Sequence, residues 1–82
     1  MIFTAYIMEC ADGTFYSGST NDIQKRLHQH NNLKSGAHYT KIRRPVKLVY
    51  SENFETLNDA RKRENALKKL TRSEKLALIG VL

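Results

Sequence analysis

Eighty-two residues are enough for one domain around a single small core, spanning 1–82, and exclude two. Fourteen Lys and Arg against eight Asp and Glu leave a net charge of +6, which points to a polyanionic partner, nucleic acid before an acidic membrane surface. The one cysteine, Cys10, cannot form an intramolecular disulfide, and no segment has the length of a membrane span or the pattern of a leader, so a soluble cytoplasmic protein with no membrane partner is expected, with a monomer favoured.

Residues 2 to 10 carry Ile2, Phe3, Tyr6, Ile7 and Met8 on both alternating sets, the pattern of a central strand covered on two faces. Asp12-Gly13 then marks a hairpin turn leading into a second strand with Tyr16. A three-residue loop, Ala11 to Gly13 with Gly13 left-handed, pairs Cys10 with Thr14, Met8 with Tyr16 and Tyr6 with Gly18, so both phenols share one face. A two-residue Asp12-Gly13 loop sets Tyr16 opposite Glu9 and sends the phenols to opposite faces. Gly13 suits the bulge position, and the first register is preferred.

Ser19 to Asp22 offers several helix caps, and Ile23 to Asn32 reads as a short helix. Ile23 and Leu27 define its apolar side, with Arg26 and His30 one turn apart at the edge of that side. The segment from Asn31 to Arg44 is the longest candidate loop, and Lys34, His38, Tyr39, Lys41, Arg43 and Arg44 make it the candidate nucleic-acid contact. Pro45 precedes a third strand, Val46 to Tyr50. Thr56 caps a helix over roughly Leu57 to Leu70, whose apolar stripe of Leu57, Ala60 and Leu67 also contains Glu64. Thr71-Arg72-Ser73-Glu74 is a capping box opening a last short helix, with Leu76, Ile79 and Leu82 turned inward.

Each polar candidate has an ordinary reading. Tyr6 and Tyr16 fit strand packing, Arg26 and His30 fit a helix surface, and Glu64 fits an ion pair with Lys68, Arg61 or Arg63. Together they supply what phosphodiester hydrolysis needs: a carboxylate for a divalent cation, an arginine for transition-state charge, and a base for the attacking water. No HExxH, CxxC pair, P-loop or GxSxG is present, which argues against zinc hydrolase, redox, nucleotide-binding and serine hydrolase readings.

The chain resembles the GIY-YIG endonuclease superfamily, in particular its small stand-alone bacterial members. Thr4-Ala5-Tyr6 aligns with the first motif and Tyr16-Ser17-Gly18 with the second. The likeness continues through Cys10 to Gly13, Asp22 to His30, Arg44 to Tyr50, Arg63-Glu64 and Ser73 to Lys75. The resemblance implies an α+β fold, a three-stranded antiparallel sheet flanked by helices in the order β-β-α-β-α-α. It further implies a nuclease using one Mg2+ or Mn2+, with nucleic acid as partner and DNA favoured, nicking in type and tied to repair or recombination. By position, Glu64 is the implied metal ligand and Arg26 the stabiliser of the scissile phosphate. Tyr6 is the implied general base, Tyr16 positions water or phosphate, and His30 orients substrate or shuttles a proton. Thr4 and Ala5 replace the glycine and isoleucine of the first motif, Ser17 replaces the isoleucine of the second, Ser19 stands where some relatives have lysine, and Leu76 where some have asparagine. The alternative is a nucleic-acid-binding module of the same fold without catalysis.

Overall fold

The computed structural model describes residues 1–32 and 42–80; Lys34, His38, Tyr39 and Lys41 of the expected nucleic-acid contact, and the expected inward Leu82, lie outside the described residues. Strands β1 (Phe3–Glu9), β2 (Phe15–Thr20) and β3 (Lys47–Phe54) form one antiparallel sheet in the order β2-β1-β3. Helix α1 (Ile23–Asn32) lies between β2 and β3 in sequence, and α2 (Leu57–Lys69) and α3 (Arg72–Ile79) follow β3. The fold is α+β, β-β-α-β-α-α, as the resemblance implied.

Apolar residues on both alternating sets of β1 have two separate destinations. Tyr6, Met8, Cys10 and Val46 pack with Tyr16, Ile23, Leu27 and Leu48 beneath α1. Ala5, Ile7 and Leu67 pack with Phe15, Val49, Tyr50, Phe54, Leu70, Leu78 and Ile79 beneath α2 and α3. The sheet is therefore covered on both faces, which is why β1 lacks a solvent-facing polar set.

The hairpin adopts the bulged register. Gly13 has φ +83°, its amide donates to the Cys10 carbonyl at 2.9 Å, and the Cys10 amide donates to the Thr14 carbonyl at 2.8 Å. Only a residue without Cβ takes that φ at little cost, and the register that follows sets Met8 opposite Tyr16 and Tyr6 opposite Gly18. The turn is held from outside. Asp12 accepts from Thr14 at 2.6 Å and pairs with Arg43 at 3.0 Å, while Arg72 donates to the Gly13 carbonyl at 2.8 Å and lies over the Phe15 ring.

Strand β3 differs from the sequence expectation, running to Phe54 rather than ending at Tyr50. Its register against β1 shifts between Ile7 and Met8, which face Tyr50 and Leu48, so Val49 is an inserted bulge residue. Val49 and Tyr50 consequently pack into the same cluster, and the alternation that a sequence reader follows is broken there. The helix starts follow their caps. The Asp22 carboxylate accepts from the Lys25 amide at 3.0 Å, Thr56 accepts from the Asp59 amide, and the Thr71/Glu74 capping box is formed in both directions.

Candidate active site

Tyr6 is 1% exposed, although it is paired with an edge strand. Its ring lies flat across β2 at Gly18: a Cβ at that position would stand 2.6 Å from Tyr6 Cζ and clash with the hydroxyl as well. The hydrogen side chain of Gly18 is what lets the phenol cross its neighbouring strand. Tyr6 Oη lies 3.2 Å from Nε2 of His30 and also accepts a hydrogen bond from Arg26. Burial pushes the Tyr6 phenol up to about 12 despite the Arg26 contact, and the charges of Tyr16 and Glu64 add to the rise.

His30 is fully buried between the two tyrosines. Its ring meets Tyr16 edge-on at 5.1 Å and Tyr6 at 6.2 Å between centroids, so both phenols occupy the face predicted from the bulged turn. Burial, reinforced by the charges of Arg26 and Arg44, pulls the imidazole down to about 4, leaving it neutral beside the phenols. Arg26, one turn earlier on α1, is half-buried and also donates to Gln29 at 3.0 Å. The C-terminal end of α1 is fixed from a distance. Asn31 exchanges two hydrogen bonds with the backbone of Val46, at 2.7 and 3.0 Å, and the Arg44 guanidinium donates to the carbonyls of His30 and Gln29.

Glu64 approaches from the other face. It sits on α2 beside the buried Leu67, and its Oε1 accepts from Ser19 Oγ at 2.6 Å, Ser19 being the β2 residue opposite Ala5. Oε2 pairs with Lys68 Nζ at 2.7 Å, and Arg63 is engaged instead with Glu52 at 3.0 Å. Burial acts to raise the Glu64 carboxyl, but hydrogen bonds from Lys68 and Ser19, with the charges of Lys68 and Arg61, outweigh it and hold it below the usual range. The site thus straddles edge strand β2. Tyrosines, Arg26 and His30 lie on one side, the carboxylate reaches the same strand from the other, and its charge is felt at the Tyr6 hydroxyl.

Of the other predicted residues, Arg43 and Arg44 are half-buried and tied to Asp12 and to the end of α1. Ser19, Gly18 and Asn31 shape the site without having been assigned a role from sequence. Gly18 had the motif as its signal, whereas Asn31 had none, and Arg44, expected as a nucleic-acid contact, had no signal for its hold on the end of α1 fourteen or fifteen residues away. A cleft lined by Cys10, Gly13, Pro45 and Val46 lies at the turn end of the hairpin and contains none of the five clustered side chains. Among the described residues no three His, Cys, Asp or Glu side chains gather into a metal-binding group, and no helix is long and apolar enough to cross a membrane.

The sequence profile described as the GIY-YIG catalytic domain matches residues 3–77. The chain belongs to the GIY-YIG family. Proteins similar to it include the UPF0213 protein of Syntrophus aciditrophicus, 55% identical over 74 residues, which cover 90% of this chain and 85% of that protein. The UPF0213 protein of Staphylococcus saprophyticus is 54% identical over 75 residues, covering 92% and 90%. Among solved structures, the UPF0213 protein BH0048 of Bacillus halodurans superposes with a TM-score of 0.61 at 36% identity, covering 99% of this chain and 85% of that one. EF2693 of E. faecalis gives 0.65 at 41% identity with the same coverage. GIY-YIG domains form a nuclease family, so this one falls in a class that binds nucleic acid, the class reached independently from its phenols, guanidinium and carboxylate.

Proposed function

We propose that this GIY-YIG domain, acting as a cytoplasmic monomer, is an endonuclease that hydrolyses phosphodiester bonds of DNA, nicking one strand with a single Mg2+ or Mn2+ in repair or recombination. The observation that supports this most is the setting of Tyr6. Its hydroxyl is buried, bonded to Arg26 and His30, and sensitive to the charge of Glu64. A structural tyrosine needs one partner for its hydroxyl, and this one has a cation and a neutral proton acceptor together.

The donor set around Glu64 fits the metal. A carboxylate beside the Ser19 hydroxyl is a hard oxygen pair, of the kind Mg2+ and Mn2+ take together with waters and phosphate oxygens. Held by Glu64, such an ion supplies charge neutralisation at the phosphate and leaving oxygen, and offsets the carboxylate charge that raises the Tyr6 phenol. Arg26 stabilises developing charge on the phosphate while holding the Tyr6 oxygen. A phenol near 12 is ionised in roughly one molecule in 10^5 at pH 7, so Tyr6 works as a base only with the help of positive charge, which Arg26 gives and a cation at Glu64 would add to. Neutral His30, 3.2 Å away, orients the Tyr6 hydroxyl. Tyr16, packed edge-on to His30, positions the water or phosphate. Lys34, His38, Tyr39 and Lys41 carry the nucleic-acid contact, with Arg43 and Arg44 anchoring the start of β3.

Incubation of purified protein with branched, duplex and single-stranded DNA, and with matched RNA, plus Mg2+ or Mn2+ tests the reading. Nicking of DNA is expected, reduced by on the order of 10^2 or more in Tyr6→Phe, Arg26→Ala and Glu64→Ala. Absence of cleavage by the wild type, or equal cleavage by Arg26→Ala and Glu64→Ala, overturns it. The second reading is a binding module without catalysis, favoured by the engagement of both Glu64 oxygens by Ser19 and Lys68. It predicts salt-sensitive binding that survives Glu64→Ala with no cut strand.

A further inference from the structure

We propose that Lys68 is a resident counter-ion of Glu64 which an incoming divalent cation displaces, and that the released ammonium then contacts the substrate phosphodiester. The proposal rests on the metal-dependent reading above and adds a residue and a coupling to it. Both Glu64 oxygens are engaged, Oε1 by Ser19 at 2.6 Å and Oε2 by Lys68 at 2.7 Å, so a cation that takes the carboxylate must dislodge one of the two. Ser19 need not leave, because its neutral hydroxyl oxygen is a hard donor that can face the cation together with the carboxylate. Lys68 is the opposite case: its side chain is 51% exposed, against 18% for Glu64, on a flexible four-carbon stem. Exposed ion pairs of this type are weak and readily exchanged.

The displaced ammonium stays near the site because Lys68 lies one helical turn from Glu64 on the same face of α2. The phenol of Tyr16 lies within electrostatic reach of Lys68, across edge strand β2. Arg61, one turn before Glu64, likewise acts on the carboxylate, so cations flank Glu64 along the helix. While paired, Lys68 and Glu64 present little net charge to a phosphate. Once the carboxylate is taken, Lys68 presents a full positive charge, so cation and nucleic acid each favour binding of the other through this one side chain.

The test is a binding cycle in a Tyr6→Phe background, which keeps the probe intact. Affinity for a short DNA duplex is measured with chelator and with saturating Mg2+, with and without Lys68→Met. Lys68→Met is expected to weaken affinity by up to about threefold in chelator, where it leaves the Glu64 carboxylate bare, and by roughly tenfold or more in Mg2+, where it removes a phosphate contact. A loss of equal size in both conditions, or no loss in either, overturns the proposal. In parallel, the Glu64 side-chain carboxyl carbon and the Lys68 ammonium nitrogen are followed by NMR during Mg2+ addition, and both are expected to shift with one midpoint. A Glu64 shift with Lys68 unmoved overturns displacement alone. No Glu64 shift at all overturns the metal-dependent reading and the proposal with it.

Discussion

Gly18 bears on the chemistry through one missing carbon. Adding a Cβ puts it 2.6 Å from Tyr6 Cζ, a distance that side chain and backbone cannot both accept. Gly18→Ala is therefore expected to destabilise the domain by about 1–3 kcal/mol in urea unfolding and to abolish the Tyr6–His30 contact seen by NMR. An unchanged midpoint with the contact intact would show that the ring does not need to cross the strand there. His30 gives a pH signature at the same scale. Its imidazole falls from the ordinary 6.5 to about 4 on folding, so the unfolded chain binds a proton that the folded chain refuses. The contribution of neutral His30 is complete above pH 6.5 and is lost as pH falls toward 4, amounting to roughly 3 kcal/mol at the acid end. Urea midpoints at pH 7.5 and 5 should show the decline in the wild type and a flatter profile in His30→Gln; parallel profiles would assign the decline to other groups. Helical spacing was enough to put Arg26 and His30 on the inward edge of α1. It could not show the clamp by Asn31 and Arg44, because nothing in the chain pairs residues so far apart.

The best-read elements are those whose ends carry local chemistry. The Thr56 and Thr71 caps bring backbone amides and hydroxyls together within four residues, and both helices start where those signals stand. The hairpin register was also legible, because Gly13 alone satisfies the left-handed bulge. Strand β3 was read short because Val49 is a bulge: two adjacent apolar residues facing one cluster look like the end of alternation. Edge strand β2 holds a different irregularity. The Ser17 hydroxyl is buried without a hydrogen-bond partner among the described residues, where the family motif has an isoleucine. Removing an unsatisfied buried hydroxyl relieves its desolvation. Ser17→Ala is expected to gain about 1 kcal/mol, a rise of several degrees in Tm for a domain of this size. A fall in Tm would mean that a bound water already satisfies the oxygen.

At the scale of the whole molecule, the site's position on an edge strand and its charge act together. A net charge of +6 raises the local concentration of any polyanion, but charge counts toward binding only where it can leave its internal partner. The arginines divide on this point. Arg61 is exposed on α2 within electrostatic reach of Glu64, beside the edge where the two halves of the site meet. Arg44 is directed into the molecule, its guanidinium holding the carbonyls at the end of α1 that carries His30. Duplex DNA affinity measured over 50–200 mM salt should therefore fall linearly on logarithmic axes, by about 0.9 in slope for each phosphate neutralised. Arg61→Ala is expected to reduce that slope by about one phosphate while leaving the urea midpoint within ~0.5 kcal/mol of wild type. Arg44→Met should do the reverse, with an unchanged slope and a folded state weakened by roughly 1–3 kcal/mol from the unpaired carbonyls. If Arg44→Met instead removes a full unit of slope, its guanidinium exchanges the helix end for phosphate on binding. His30 would then lose its anchor at the moment substrate arrives, and the rigid Tyr6–His30 pair on which the proposed chemistry depends would have to be replaced by one assembled on the nucleic acid.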